Sequence, residues 1–133
     1  MKLIPVDKNK DAVKHLFALL LERHQNESIS HKSMPTFEQH RQFVESHPYL
    51  EWYLIAVDSV MVGAVYITKQ RELGIGIFES YRRLGYTKEA LKIIMHKHPG
   101  RCLANINPAN DKSVRLFSKL GFHLIQQTYQ YLP

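Results

Sequence analysis

Cysteine is almost missing from this chain: Cys102 is the one thiol in 133 residues, so no intramolecular disulfide can staple the fold. With Leu103 and Ala104 beside it in a strand-like run, it is expected to be a buried structural thiol. Long apolar runs are missing too. Nothing approaches the ~20 consecutive apolar residues that a spanning helix needs, which excludes an inserted helix. The opening MKLIPVDKNKD lacks the apolar core and small-residue cleavage site of a secretory signal, so the expected compartment is cytoplasmic. Repeats, low-complexity tracts and Pro/Gly/Ser linkers do not occur, and residues 1–133 read as a single domain. Despite 8 histidines, no H-E-x-x-H or Cys/His cluster is spaced for a metal, and none is expected.

Acidic residues are also in short supply. The 12 Asp and Glu against 18 Lys and Arg leave a net charge of +6, which favours anionic partners in general. The excess is concentrated between Tyr81 and Arg101, where Arg82, Arg83, Lys88, Lys92, Lys97 and Arg101 face one acid, Glu89. A solvated helix face accounts for Lys92 and Lys97. It accounts less well for the adjacent arginines.

What is present is an ordinary globular composition, 44% hydrophobic and 23% charged, long enough to bury about two thirds of the unfolded surface. Leu3 to Val6 reads as a short first strand, with Pro5 placing it near an edge. A helix follows with Val13, Leu16, Phe17 and Leu20 at helical spacing, then a polar loop from Gln25 to Met34. Thr36 and Gln39 stand at capping-box spacing before a second helix whose inner stripe is Phe37, His40, Phe43 and Val44. Trp52–Val57, Met61–Thr68 and Glu72–Phe78 form a three-strand meander turning at Asp58-Ser59 and Gln70-Arg71. Leu84–His98 is a helix stopped by Pro99-Gly100, Cys102–Ile106 a strand, Asp111–Leu120 a helix, and His123–Tyr131 a last strand. The order β-α-α-β-β-β-α-β-α-β predicts an α/β fold with a mixed sheet flanked by helices.

The chemistry concentrates where the meander feeds the third helix, in ESYRRLGYTKEA. A strand running into a helix leaves the first turn's N–H groups free at the sheet end, where the helix dipole favours an anion. Gly85 permits close backbone approach and Arg82, Arg83 and Lys88 add charge, a description that suits a diphosphate. The common diphosphate motifs do not occur. Gly74-Ile75-Gly76 begins like a dinucleotide fingerprint, but Glu79 occupies the last glycine position, and no G-x-x-x-x-G-K-S/T is present.

At these residues the chain resembles the GNAT superfamily of acyl-CoA-dependent N-acetyltransferases. Their signature Q/R-x-x-G-x-G/A reads here Arg82-Arg83-Leu84-Gly85-Tyr86-Thr87, with Thr in the final place. A second family pattern, N-x-x-A/S-x-x-L-Y/F followed by G-F, reads Asn110, Ser113, Leu116, Phe117 and Gly121-Phe122. The meander, YLIAVDSVMVGAVYI with Gly63 soon after the turn, is similar as well. The resemblance implies a GNAT-type sheet and acetyl-CoA as co-substrate. Its pyrophosphate would lie on the main chain of Arg82, Arg83, Leu84, Gly85, Tyr86, Thr87 and Lys88, and its pantetheine on the main chain around Ile77 and Phe78. Asn110, Ser113 and Phe117 would complete the cofactor-binding set.

The implied reaction is transfer of an acetyl group to a primary amine by direct attack on the thioester. Many members protonate the leaving thiolate with a tyrosine; here that position is Phe117, and a thiol of pKa near 8.5 can leave without obligatory protonation. Tyr86, Tyr129 and Tyr131 are the alternative acids. Glu72, at the start of the fourth strand, is the candidate base, against the plain reading of a solvated strand end. His31 is the candidate substrate contact, in a segment that shapes the acceptor pocket in this family. ISHKSMPTFEQHRQFV faintly resembles the acceptor side of enzymes acting on nucleotide-linked amino sugars, while peptide N-termini, polyamines, amino acids and antibiotics stay open. Two other classes remain: a catalytically weakened CoA-binding regulatory module, and a nucleic-acid-binding domain, which would need a basic stripe interleaved with stacking aromatics. A homodimer is compatible with the sequence; a membrane partner is not expected.

Overall fold

The computed structural model describes residues 1–26 and 33–133. They form β1 (Lys2–Pro5), a 3-10 turn (Val6–Lys8), α1 (Ala12–Asn26), α2 (Phe37–Glu45), β2 (Glu51–Val57), β3 (Val60–Ile67), β4 (Glu72–Ile77), a second 3-10 turn (Glu79–Tyr81), α3 (Tyr86–Lys97), β5 (Leu103–Ala104) and α4 (Asp111–Lys119). The sheet runs in the order β1-β2-β3-β4-β5, antiparallel through β4 and then crossing over through α3, so the sheet is mixed. The chain divides into two compact units, Met1–Leu103 and Ala104–Pro133.

Local chemistry sets the boundaries in the first unit. Thr36 Oγ1 accepts the Gln39 N–H at 3.1 Å while Gln39 Oε1 accepts the Thr36 N–H at 2.9 Å, the reciprocal box that starts α2 and stabilises it by about 1 kcal/mol. Asp58 and Ser59 both adopt left-handed φ, 50° and 67°, giving the two-residue turn whose twist matches a tight hairpin. The β3–β4 turn closes with Thr68 N–H donating to the Glu72 carbonyl at 2.8 Å and with Arg71 left-handed at φ 68°.

Strand alternation builds two faces. Leu54 and Ala64 pack with Ala12, Leu16 and Val44 under α1 and α2. On the other face α3 buries Ala90, Leu91 and Ile94, and the Tyr53 hydroxyl lies 3.0 Å from His98 Nε2 at the helix end. The predicted stripe of α2 is half right: His40 and Val44 are buried, whereas Phe37 and Phe43 remain partly exposed. Phe37 sits edge-on to Phe17, and Phe43 joins Tyr49, Trp52 and Tyr66 in an aromatic cluster. Gly74 lies beneath the Tyr66 ring, where any Cβ would collide with it.

Several expectations are corrected. Leu84 lies outside α3, which begins at Tyr86 because Gly85 is left-handed. The strand expected over Cys102–Ile106 shrinks to two residues, since Asn107 turns the chain by accepting the Ala109 N–H on its side chain and the Asn110 N–H on its carbonyl. Cys102 is partly exposed, its Sγ 3.7 Å from the Arg71 guanidinium. Among the described residues no strand is found over His123–Tyr131, where the sequence placed a last strand.

Arg71 is a structural residue the sequence did not reveal. Its guanidinium donates to the carbonyls of Arg101 (2.6 Å), His98 (2.7 Å) and Pro99 (3.1 Å), where the end of α3 leaves carbonyls unsatisfied. Its own carbonyl accepts the Leu103 N–H at 2.9 Å. Arg71→Ala is expected to lower stability by about 2 kcal/mol in urea unfolding, with Arg71→Lys recovering only part because one ammonium cannot reach three separated carbonyls.

His40 contrasts with Arg71. Its ring is buried against Phe17 and its Nε2 has no hydrogen-bond partner, so burial holds its pKa below the usual 6.5 and keeps it neutral. The unfolded chain therefore takes up a proton that the folded chain refuses. The associated stability is fully present above pH 6.5 and declines as pH falls below it. His40→Leu should flatten that part of the stability–pH curve, read by urea unfolding at several pH values.

Candidate functional site

The turn between β4 and α3 is built almost entirely from backbone. Phe78 and Glu79 carbonyls accept the N–H groups of Tyr81 (2.9 Å) and Arg82 (3.2 Å), tightening the chain before it reverses. Arg83 and Gly85 then take left-handed φ of 67° and 81°. The first helical bond runs from Glu89 N–H to the Gly85 carbonyl at 3.2 Å. Among the described residues, the N–H groups from Arg83 through Lys88 have no backbone acceptor. Alternation of left- and right-handed residues points such groups into a common concavity, and the α3 dipole adds partial positive charge there.

Side chains reinforce the polarity. Arg82 and Arg83 are exposed, and Arg82 is braced by its Nε, which donates to the Ile77 carbonyl at 3.1 Å. Lys88 is exposed in the first turn of α3. Gly85 has nothing within 4 Å of where a Cβ would stand, so the glycine answers to the left-handed φ and to open space for a ligand, not to packing. From α1, the Glu22 carboxylate accepts the Glu79 N–H at 2.6 Å and fixes the entrance of the turn. That contact was not visible in the sequence, because no pattern links residues so far apart.

β4 carries the site's other parts. Phe78 has both backbone groups engaged, its N–H donating to the Val62 carbonyl at 2.9 Å and its carbonyl accepting from Tyr81. Ile77 directs its backbone the other way, towards the strand edge away from β3. Glu72 stands at the far end of β4, on the order of 17 Å along the strand. It is half-buried and shares the face of Gly74 and Gly76 towards α1. A recess of about 500 Å³, which Glu72 does not line, opens among the starts of α1 and β2 and the end of α2, with Asp7, Lys10, Glu45, His47, Tyr49 and Trp52 on its walls. Tyr49, stacked on Tyr66 at 4.0 Å, has its phenol pushed up to about 12, first by burial.

In the second unit, Asn110 caps α4, its Oδ1 accepting the Ser113 N–H at 3.2 Å. Asn110, Ser113 and Phe117 follow one helix face. Phe117 is buried edge-on against Phe122 at 5.1 Å. Of the alternative acids, Tyr86 opens α3 in the first unit, while Tyr129 and Tyr131 are exposed in the chain's last segment. His31 lies outside the described residues. No helix among the described residues is long and apolar enough to cross a membrane.

A mixed sheet running into a helix through a cationic turn defines an α/β protein with positive charge concentrated at a strand–helix junction. The particular family follows from comparison. The sequence model described as Acetyltransferase (GNAT) domain matches residues 2–123, and the chain belongs to that family. None of the curated proteins matches the chain. Among solved structures, ribosomal-protein-alanine N-acetyltransferase from Brucella melitensis superposes with a TM-score of 0.76 at 16% identity, covering 92% of this chain and 85% of that one. YncA from Salmonella typhimurium, solved with acetyl-CoA, gives 0.74 at 15% identity over 92% and 79%. Campylobacter jejuni N-acetyltransferase PseH, in complex with acetyl coenzyme A, gives 0.66 at 16% identity over 96% and 91%.

Gly85→Ala isolates the conformational requirement of the turn, since a methyl meets no neighbour. It should cost about 1 kcal/mol in urea unfolding, the strain of a left-handed non-glycine residue.

Proposed function

We propose that this protein is an N-acetyltransferase that moves the acetyl group of acetyl-CoA to a primary amine of a small molecule, with amino sugars one candidate class among several. The observation that carries this reading is the run of free N–H groups from Arg83 to Lys88, opened by two left-handed residues and flanked by Arg82 and Arg83. Together with family membership, it supports a diphosphate-bearing co-substrate. The neighbours solved with acetyl-CoA agree with that choice. When bound, acetyl-CoA supplies an activated acyl group on a good leaving thiolate.

The chain's own residues would do the following. The turn holds the diphosphate through main-chain N–H groups, with Arg82, Arg83 and Lys88 as charge partners. The outward backbone of Ile77 guides the pantetheine, and Phe78, whose polar groups are already engaged, contributes shape. Asn110, Ser113 and Phe117, on one face of α4, join the cofactor-binding set on the strength of the family pattern alone. Glu72 takes the proton that the attacking amine sheds, directly or through water, as the nitrogen–carbon bond forms and the carbon–sulfur bond breaks. His31 is the substrate contact in this reading. Phe117 offers no proton to the leaving thiolate, which departs unassisted by that side chain.

The absent tyrosine favours a second reading, a CoA-binding regulatory module without turnover. Calorimetric titration with acetyl-CoA, paired with an assay of thiol release over a panel of amines, separates the two. Diphosphate-dependent binding with thiol release is expected; binding without release from any amine would leave the regulatory reading. Arg82→Ala and Gly85→Asp should each weaken acetyl-CoA at least about tenfold with the fold intact by circular dichroism, and unchanged affinity in both would remove the phosphate site. Glu72→Gln should slow turnover about a hundredfold or more with little change in acetyl-CoA affinity, whereas a normal rate at every pH would exclude Glu72 as the base.

A further inference from the structure

Tyr66 carries its hydroxyl to a place that a packing role does not require. It stands in β3 opposite Gly74 of β4, and the tip of its ring, hydroxyl included, fills the space that any Gly74 side chain would need. The glycine lets a phenol cross the strand. On its other sides the ring is held by aromatic neighbours: Tyr49 stacks on it at 4.0 Å with the planes 4° apart, and Trp52 meets it edge-on at 6.2 Å. Phe43 stands behind these two, 6.0 Å from each. One hydroxyl is thereby fixed over the middle of β4, with the rigidity that a reacting group needs and a filler does not.

On the acetyl-CoA reading proposed above, on which this inference rests, the middle of β4 is also where the reaction takes place. In the β3–β4 ladder Phe78 N–H donates to the Val62 carbonyl at 2.9 Å and Thr68 N–H to the Glu72 carbonyl at 2.8 Å. Alternation then turns the backbone groups of Ile75 and Ile77 to the edge away from β3. A pantetheine arm that enters at the turn and follows this edge brings its thioester back towards Ile75, about 7 Å from Ile77 along the strand. Glu72, Gly74 and Gly76 share the face of the Tyr66 hydroxyl, the face on which Leu19 of α1 covers Gly76. Candidate base and phenol thus stand on one side of one strand.

We propose that Tyr66 binds the acceptor, its hydroxyl oxygen accepting a hydrogen bond from the primary amine as that amine attacks the thioester. A neutral primary amine has two N–H groups and one lone pair. The lone pair must point at the thioester carbon, so both hydrogens need acceptors in other directions. Glu72 accepts one, directly or through water, and receives the proton as the nitrogen–carbon bond forms and the carbon–sulfur bond breaks. The Tyr66 oxygen, uncharged and with two lone pairs, accepts the other and leaves it on nitrogen.

Tyr66→Phe separates ring from hydroxyl, because the ring over Gly74 and the stack on Tyr49 are kept and only the oxygen is lost. The test follows thiol release from acetyl-CoA over a panel of primary amines led by glucosamine, glycinamide and putrescine, beside calorimetric affinity for acetyl-CoA and urea unfolding. For the amine that the native chain uses best, Tyr66→Phe should lower kcat/KM about tenfold or more, with acetyl-CoA affinity and the unfolding midpoint unchanged. Tyr53→Phe, which removes a phenol from the opposite face of the sheet, should leave kcat/KM as it is. A Tyr66→Phe chain with native kcat/KM, or one whose loss is matched by lost acetyl-CoA affinity or stability, overturns the assignment and leaves the acetyltransferase reading standing. A native chain that binds acetyl-CoA and releases no thiol with any amine of the panel fails that reading, and the assignment falls with it.

Discussion

The backbone hydrogen bond is the interaction on which the rest of this structure depends, and its character follows from where that bond is made and where it is withheld. Four strands satisfy one another across an antiparallel ladder. At the end of α3, where carbonyls run out of helical donors, Arg71 reaches in from the β3–β4 turn and supplies them. At the start of the same helix no residue plays the equivalent part for the N–H groups. Among the described residues, one end of α3 is closed by a side chain and the other has no side-chain cap. The dipole runs in the direction that makes this division sensible, with a cation at the carbonyl end and an anion at the N–H end.

The same bookkeeping separates the two units. In the first, left-handed residues at Asp58, Ser59, Arg71, Arg83 and Gly85 are spent on reversals that keep strands paired or present N–H groups outward. In the second, Asn110 caps α4, and the segment after the helix forms no regular element among the described residues. Free donors beside paired arginines call for an anion.

Much of this was legible in the sequence because it is local. Thr36 and Gln39 specify the α2 capping box within four residues, Asp58-Ser59 specifies a hairpin, and Gly85 specifies the left-handed turn that starts α3. What escaped was non-local. Arg71 resembles any surface arginine until the fold brings it to the end of α3, and Glu22 gives no hint that it will reach Glu79. Phe37 and Phe43 have helical spacing but stand at the edges of the buried stripe, so periodicity placed them too deep. His123–Tyr131 failed for a different reason: propensity describes the residue, whereas a strand exists only in company.

Glu22 carries a consequence of its own. It fixes a carboxylate at the mouth of a turn otherwise furnished with cations. If affinity alone were the aim, an acid would be the wrong residue there, since it opposes the field that draws a polyanion in. An enzyme must also let its spent carrier go, and a site that grips too firmly idles with product in place. Negative charge held beside the loop offsets part of its cationic field, so the residue that shapes the turn also weakens the pull that the turn exerts on an anion.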